Sequence, residues 1–327
     1  MSGFRYLSDD TLAALGISPA EIADALEAAL AAKAAGRLHT APKSAILPGE
    51  NRYMMSTLAV GNDEGLTVLK AVSVSPGNAA RGLPAINGAI LALDAETGLL
   101  RAVLDANWIT AVRTAALSAV AARRLADPTS STIAFVGCGV QARSHLDAFS
   151  ALFPIKRVRA YGRGTANRDA FLAESRAKGL VAEAAATPED ALAEADIVVT
   201  SVTLDYTIAP FLDARELKPT AFAAITDLCI PWLPDGLAAF GTVVVDDLEQ
   251  ERTAEKPMLP AALITGDLTA LAAGDLPPRD RAKPAAFAFR GLALGDYAAA
   301  ALAVRRAEAL QAGTSIAGDG QGVTKLA

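Results

Sequence analysis

Lys70 is the residue from which chemistry in this chain can start. It stands inside Leu66-Thr67-Val68-Leu69-Lys70-Ala71-Val72-Ser73-Val74, a run with strand character in which Val68 and Val72 share its face. An ammonium at that depth must pair with an anion or snorkel out. Desolvation moves it toward neutrality, the state in which a lysine exchanges protons. Asp227 follows an apolar strand over 221–226, and the carboxyl ends of parallel strands are where ligands meet such sheets. Arg113-Thr114 on a helix reads by itself as a surface pair, His145 as structural, and Asp246-Asp247 as solvated carboxylates at a strand end.

Gly137-Cys138-Gly139 follows the strand-like Thr132-Ile133-Ala134-Phe135-Val136 and opens a helical stretch, with a second strand at Arg157-Val158-Arg159-Ala160-Tyr161. Glycines in that context let the backbone approach a pyrophosphate, and the helix N-terminus supplies free N–H groups and a positive dipole. Ala142 replaces the usual third glycine and is small enough for close packing. After the second strand comes Tyr161-Gly162-Arg163-Gly164-Thr165, with no carboxylate to accept from a ribose 2′-hydroxyl. Arg163 and Thr165 instead suit a 2′-phosphate, so NADP(H) is the expected cofactor, with NAD(H) tolerated.

The elements that must position these residues change character along the chain. Ser18-Pro19-Ala20-Glu21 is a capping box with proline at the first helical position, and Gly36 is the stop. Strands at 66–74, 89–93 and 99–104, the last two joined through Ala95-Glu96-Thr97-Gly98, make the first third an α+β unit with antiparallel strands. A helix over 110–126 follows. Strands and helices then alternate, with strands at 132–136, 157–161, near 181, 196–202, 221–226 and 242–246, which implies a doubly wound parallel sheet of Rossmann type. A long Ala-rich helix from Gly295 onward reads as scaffold, and the tail after Gly313 as loosely ordered.

The chain has 327 residues, 52% of them hydrophobic, with 30 Lys+Arg against 36 Asp+Glu. That length allows two domains, and the acidic balance disfavours nucleic acid as a partner. Two cysteines, Cys138 and Cys229, and two histidines make neither a disulfide framework nor the usual zinc site. No apolar run has signal-peptide or spanning character, so the chain is expected to be cytoplasmic, metal-free and without a membrane partner.

In combination these features resemble one family. Lys70 precedes Pro76-x-Asn78 and Gly82-Leu83-Pro84. The hairpin ending in Thr97-Gly98, then Asp105, Thr110-Ala111-x-Arg113-Thr114-Ala115-Ala116 and Gly137-x-Gly139-x-Gln141-Ala142 follow in order. This series, within residues 40 to 300, resembles the ornithine cyclodeaminase/mu-crystallin family. The resemblance implies a substrate-binding and dimerisation domain over 1–122, to which a C-terminal helix of about 296–327 returns, and a Rossmann domain over 123–295. It implies that Lys70 is the active-site lysine beside the nicotinamide, Asp227 the acid/base aspartate, and Arg113 a carboxylate-binding arginine. Lys43 stands in place of a second such arginine and keeps its charge without the bidentate fork. Thr114, Gly139, Val140 and Gln141 fall where the family contacts the cofactor phosphates.

Two departures bear on specificity. Tyr53 falls where ornithine-specific members resemble one another in carrying a glutamate, and the segment expected to close over the nicotinamide reads Phe289-Arg290-Gly291-Leu292. The side-chain pocket is expected near Tyr53, Met54 and Met55. The expected function is that of an NAD(P)H-dependent oxidoreductase acting at the α-carbon of an amino or imino acid, as an amino-acid dehydrogenase or cyclic ketimine reductase. The expected assembly is a homodimer. A cyclodeaminase with bound NAD, and a crystallin-like NADP-dependent binding protein without significant turnover, are the alternatives.

Overall fold

The computed structural model describes residues 3–49, 52–203 and 206–318. In chain order its first elements are β1 Phe4–Leu7, α1 Asp9–Ala13, α2 Pro19–Ala34, β2 Leu38–Thr40, β3 Ser44–Gly49, β4 Arg52–Gly61 and β5 Leu66–Val74. Next are β6 Ile86–Asp94, β7 Leu100–Asp105, α3 Ala106–Leu125, β8 Thr132–Val136, α4 Val140–Ser150, β9 Arg157–Tyr161, α5 Thr165–Ala177 and β10 Val181–Ala184. Then come α6 Pro188–Ala193, β11 Ile197–Thr200, β12 Phe222–Ile225, β13 Thr242–Val245 and α7 Leu248–Thr253. The chain closes with β14 Gly266–Asp267, α8 Leu268–Ala273, β15 Ala285–Ala288, α9 Ala293–Leu310 and β16 Thr314–Ile316. Backbone contacts divide the chain into a unit of residues 1–113 with 292–327 and a unit of residues 114–291. The sequence expectation set these limits after 122 and after 295, and its last helix reached 327. That helix instead ends at Leu310, where Gln311 turns left-handed with φ 51°. Thr314–Ile316, in the tail expected to be loosely ordered, pairs with β1 as a strand, and residues 319–327 lie outside the described residues.

The first unit is built on one eight-stranded sheet. Its order is β16-β1-β7-β6-β5-β4-β2, with β3 paired to β4 off that path, and every pair is antiparallel except β1 with β7. The helix α2 forms where its sequence signals place it, with the Ser18 hydroxyl accepting from Glu21 N and the Glu21 carboxylate accepting from Ser18 N. α9 packs on α2 and across β4, β5 and β6. It can lie flat there because its sheet side is mostly alanine, which holds the backbones close. The strand β4, absent from the sequence expectation, is the longest of the sheet. It lacks clear alternation because Tyr53, Met55 and Ala59 on one face are matched by Met54, Leu58 and Val60 on the other.

Registration fixes which side chains share a row. Thr57 pairs with Lys70, Lys70 with Ile90, and Ile90 with Leu104, and all four are buried on the face that carries α9. On the opposite face Leu58, Leu69, Leu91 and Val103 make a second row across the same four strands.

The second unit is a wholly parallel eight-stranded sheet in the order β10-β9-β8-β11-β12-β15-β13-β14. Strands β8, β11, β12, β13 and β15 read as nearly unbroken apolar runs because both of their faces are covered. The doubly wound sheet is as expected. The insertion of β15 between β12 and β13 is not, since Ala285-Ala286-Phe287-Ala288 lies 40 residues beyond β13 in a stretch to which the sequence reading gave no element. Among the described residues no helix is long and apolar enough to cross a membrane.

Candidate active site

In the first unit, Lys70 sits at the middle of β5, between β4 and β6, and is 1% exposed. Its ammonium pairs rather than snorkels. Nζ lies 2.5 Å from Asp296 Oδ1, and the Thr110 hydroxyl of α3 is 3.4 Å away. Arg113, one turn further along α3, brings Nε to 3.0 Å from the same Asp296 oxygen. Asp296 Oδ2 accepts from Thr57 Oγ1 over 2.9 Å. The cluster thus draws on four elements, and each follows from local rules. Thr57 and Lys70 are cross-strand partners, Thr110 and Arg113 share a helix face at spacing three, and Asp296 lies in the first turn of α9, where the helix dipole favours a carboxylate.

The electrostatics follow from burial and partners. Desolvation is the largest influence on Lys70 and drives its pKa down; Asp296 opposes this, Arg113 and Lys43 reinforce it, and the result is about 8. Burial pushes the Asp296 carboxyl up, but the charges of Lys70 and Arg113 outweigh it and hold the group below the usual carboxylate range. Lys43, just ahead of β3, lies within electrostatic reach of Lys70. Tyr53 and Met55 share the face of Thr57 on β4, whereas Met54 turns to the other face and is exposed. Met54 therefore leaves the expected side-chain pocket, because strand residues alternate sides.

The second unit holds the glycine loop and Asp227. Gly137 has φ +96°, and a Cβ there would meet the Ser201 carbonyl oxygen at 2.5 Å, so only glycine fits between β8 and β11. Gly139 is the N-cap of α4 with open space where its Cβ would be, and Val140 is exposed on the first turn. Gln141 Oε1 is buried and accepts no hydrogen bond from the described residues. Arg143 Nη1 donates to the carbonyls of Cys138 and Gly139 while its guanidinium grips Glu174, which fixes the loop from below. A bare helix N-terminus, an uncovered glycine and a buried acceptor in want of a donor fit a dinucleotide diphosphate and its ribose. Thr114 is buried within this unit's part of α3, Arg163 is exposed between β9 and α5, and Thr165 is exposed as the first residue of α5.

Asp227 is 1% exposed just past β12. Its Oδ1 accepts from Thr200 Oγ1 over 3.0 Å and its Oδ2 from Val202 N over 3.0 Å, while Trp232 Nε1 donates in turn to Thr200 Oγ1 over 3.4 Å. Burial outweighs these bonds and raises its pKa to about 7. Leu228 and Cys229, which follow it, both lie in the left-handed region, with φ 58° and 59°. Burial lowers His145 to about 4, and its ring lies between Ser118 Oγ and the Gln141 carbonyl, a structural placement.

Asp246 corrects the expectation of solvated carboxylates. It is buried, and its Oδ2 accepts from the backbone of Arg290 and Gly291. Arg290 also pairs with buried Glu251, which pins the segment Phe289-Arg290-Gly291-Leu292 at its first half. Asp296 and Thr57 are the site residues that the sequence reading missed. The one available signal was an acid interrupting an otherwise uncharged stretch, Leu292-Ala293-Leu294-Gly295-Asp296-Tyr297-Ala298.

Comparison with known proteins sets this geometry in context. The sequence profile described as the ornithine cyclodeaminase/mu-crystallin family matches residues 12–310. A Delta(1)-pyrroline-2-carboxylate/Delta(1)-piperideine-2-carboxylate reductase of Azospirillum brasilense is 31% identical over 300 residues, 90% of this chain and 95% of that protein. The ketimine reductase mu-crystallin of Mus musculus is 32% identical over 244 residues, 73% of this chain and 75% of its own. Among solved structures, an archaeal alanine dehydrogenase dimer with bound NAD superposes with a TM-score of 0.85 at 26% identity, covering 96% of this chain and 98% of that one. A profile match from α1 to the end of α9 spans both units and every residue of the buried cluster, and on that ground the chain belongs to the ornithine cyclodeaminase/mu-crystallin family.

Proposed function

We propose that this chain reduces the C=N bond of a small cyclic ketimine acid, with NADPH as preferred reductant. The wider class is that of its family and relatives, an NAD(P)-dependent oxidoreductase acting on the C–N bond of an amino or imino acid. The observation that carries the reading is Lys70, an ammonium in the middle of a buried strand, joined through one carboxylate to the arginine beside it.

The roles follow from charge and placement. Arg113, with Lys43 assisting, holds the substrate carboxylate; Lys70, Arg113 and Lys43 outnumber the one internal carboxylate, and that excess of positive charge favours an anionic substrate. Lys70 donates to the substrate nitrogen and supplies the proton it gains as the C=N bond becomes an amine. A lysine near 8 is still mostly protonated at neutral pH and gives up its proton readily. Asp227, near 7, is assigned as the second proton-handling group. The dinucleotide, when bound, supplies the hydride that adds to the imine carbon. Thr114, Gly137, Gly139, Val140 and Gln141 are assigned to its phosphates and ribose, and Arg163 with Thr165 to the 2′-phosphate. On these assignments the first unit is the substrate-binding and dimerisation domain and the second the dinucleotide-binding domain.

Specificity follows from β4. Among the described residues its site-facing side chains are Tyr53, Met55 and Thr57, none of which can balance a distal ammonium. A ring or a short uncharged side chain suits that wall; ornithine does not. The partner we assign is a second copy of the chain, seated on the outer sheet face, where Leu58, Leu69, Leu91 and Val103 form a continuous apolar row. The cytoplasm is the compartment we assign, in keeping with two free, buried thiols at Cys138 and Cys229.

The test is a panel of cyclic imino acids, 2-oxo acids with ammonia, and amino acids including L-ornithine, assayed for NADPH and NADH absorbance with product followed in parallel. NADPH consumption with cyclic imino acids supports the proposal. Turnover only with open-chain oxo acids and ammonia makes it a dehydrogenase. Proline formed from ornithine without net cofactor change makes it a cyclodeaminase, and no turnover at all makes it a binding protein.

A further inference from the structure

The proposed chemistry asks Lys70 to handle a proton and Arg113 to hold a carboxylate, and both side chains end on one oxygen of Asp296. The other oxygen is taken by the Thr57 hydroxyl. All four side chains are buried, and they come from β5, α3, α9 and β4. A buried ion pair is in general no more stabilising than apolar residues of the same volume, so stability alone does not account for three charges at this spot.

We infer that Asp296 is a positioning residue for the proposed reduction: gripped at one oxygen by Lys70 and Arg113 and at the other by Thr57, its carboxylate holds the proton donor and the carboxylate anchor in fixed register and keeps the donor charged. The inference rests on the roles given above to Lys70 and Arg113. The groups facing Lys70 are Asp296 from α9, Arg113 and the Thr110 hydroxyl from α3, Lys43 ahead of β3, Thr57 as its partner on β4 and apolar Ile90 on β6. Desolvation and the two cations all favour a neutral amine; Asp296 is the charge that opposes them. Without it Lys70 gives up its proton at a lower pH. The reductive reaction then lacks its donor at neutral pH and above. The shared oxygen also makes placement mutual, since a carboxylate that turns toward one cation leaves the other, and the Thr57 bond to the second oxygen opposes that turn.

The experiment follows the Lys70 side chain directly, by nitrogen-15 and carbon-13 NMR of its Nζ and Cε through a pH titration, in wild type, Asp296→Asn, Asp296→Glu and Thr57→Val. The expected midpoint in wild type is about 8. It falls by about one pH unit or more in Asp296→Asn and returns most of the way in Asp296→Glu, which restores the charge. Thr57→Val leaves every charge in place and lowers the midpoint by a smaller amount, which keeps the inference testable if Asp296→Asn does not fold. In turnover, Asp296→Asn loses about tenfold or more in reductive kcat at pH 8 and regains much of it at pH 6. An unmoved Lys70 midpoint in the variants, or a loss of kcat equal at every pH, overturns the inference. The NMR arm needs no substrate. A moved midpoint in a protein that reduces no imine would keep Asp296 as the group that holds Lys70 charged, but would remove the proposed function and with it the positioning role in that reaction.

Discussion

Thr200 and Asp227 stand at the carboxyl ends of two neighbouring parallel strands, and the Thr200 hydroxyl donates to Asp227 Oδ1 over 3.0 Å. That bond favours the charged carboxylate, yet burial of Asp227 wins and raises its pKa from 3.8 to about 7. A carboxyl raised in the folded state gives stability that is complete below its unfolded value and is lost as pH rises through the folded one. Asp227→Asn is therefore expected to be more stable than wild type at pH 8, by several kcal/mol at about 1.4 kcal/mol per pKa unit, and little different near pH 4. Turnover should fall by about a hundredfold or more. Thermal unfolding across that pH range measures the first effect, and a variant that tracks wild type throughout would show that Asp227 titrates normally.

Lys70→Met is expected to lower turnover by about a hundredfold or more while changing dinucleotide affinity by less than about twofold. The side chain is of similar length and removes only the charge and the donor. Titration of NADPH against fluorescence, beside steady-state rates, separates the two readouts. Near-normal turnover in this variant would take Lys70 out of the mechanism.

Arg113→Ala should act mainly on KM for acids, with the loss of kcat reporting misplaced substrate. It also takes one of two cations from a buried carboxylate, so a fall in unfolding stability of about 3–5 kcal/mol is expected beside the kinetic change. Neutral imines that lack a carboxylate should be poor substrates of wild type and hardly affected by the substitution. If they match the acids in wild type, Arg113 and Lys43 do not clamp a carboxylate.

Arg163→Ala tests the cofactor. The residue is exposed after β9 with no carboxylate between it and Tyr161, so its loss should weaken NADPH by about 1.5–3 kcal/mol and leave NADH nearly unchanged. Calorimetric titration of both cofactors into both proteins decides it. A wild-type preference for NADH, or equal losses for the two cofactors, would make Arg163 a solvated loop residue.

Leu58→Glu together with Leu91→Glu tests the assembly. Both side chains are more than a third exposed on the outer sheet face, at 38% and 36%, so a single chain can accept the charges without disturbing its core. Two carboxylates buried against a second copy would each cost several kcal/mol, so sedimentation should show a dimer for wild type and a monomer for the variant. A monomeric wild type, or a variant that stays dimeric, removes this face as the interface.

Local chemistry determined a great deal about this protein before any fold was drawn. The β-branched run around Lys70, the glycines between β8 and α4, and the capping box of α2 each act over a few residues, and each element stands where its pattern placed it. The order of motifs from Lys70 to Gln141 was enough to point to the family, because relative spacing along a chain is itself sequence information. What only the tertiary structure decided is what passes between segments. β4 was invisible because the sheet leaves apolar side chains on both of its faces, and alternation is the signal by which a strand is read. β15 takes its place between β12 and β13 through hydrogen bonds that no local pattern encodes. Asp296 is 226 residues from Lys70 and lies at the head of an alanine helix that reads as scaffold. Its partnership with Lys70 and Arg113 exists because α9 packs across β4, β5 and β6, and the cost of leaving a buried ammonium without an anion says that a partner must exist without saying where in the chain it lies.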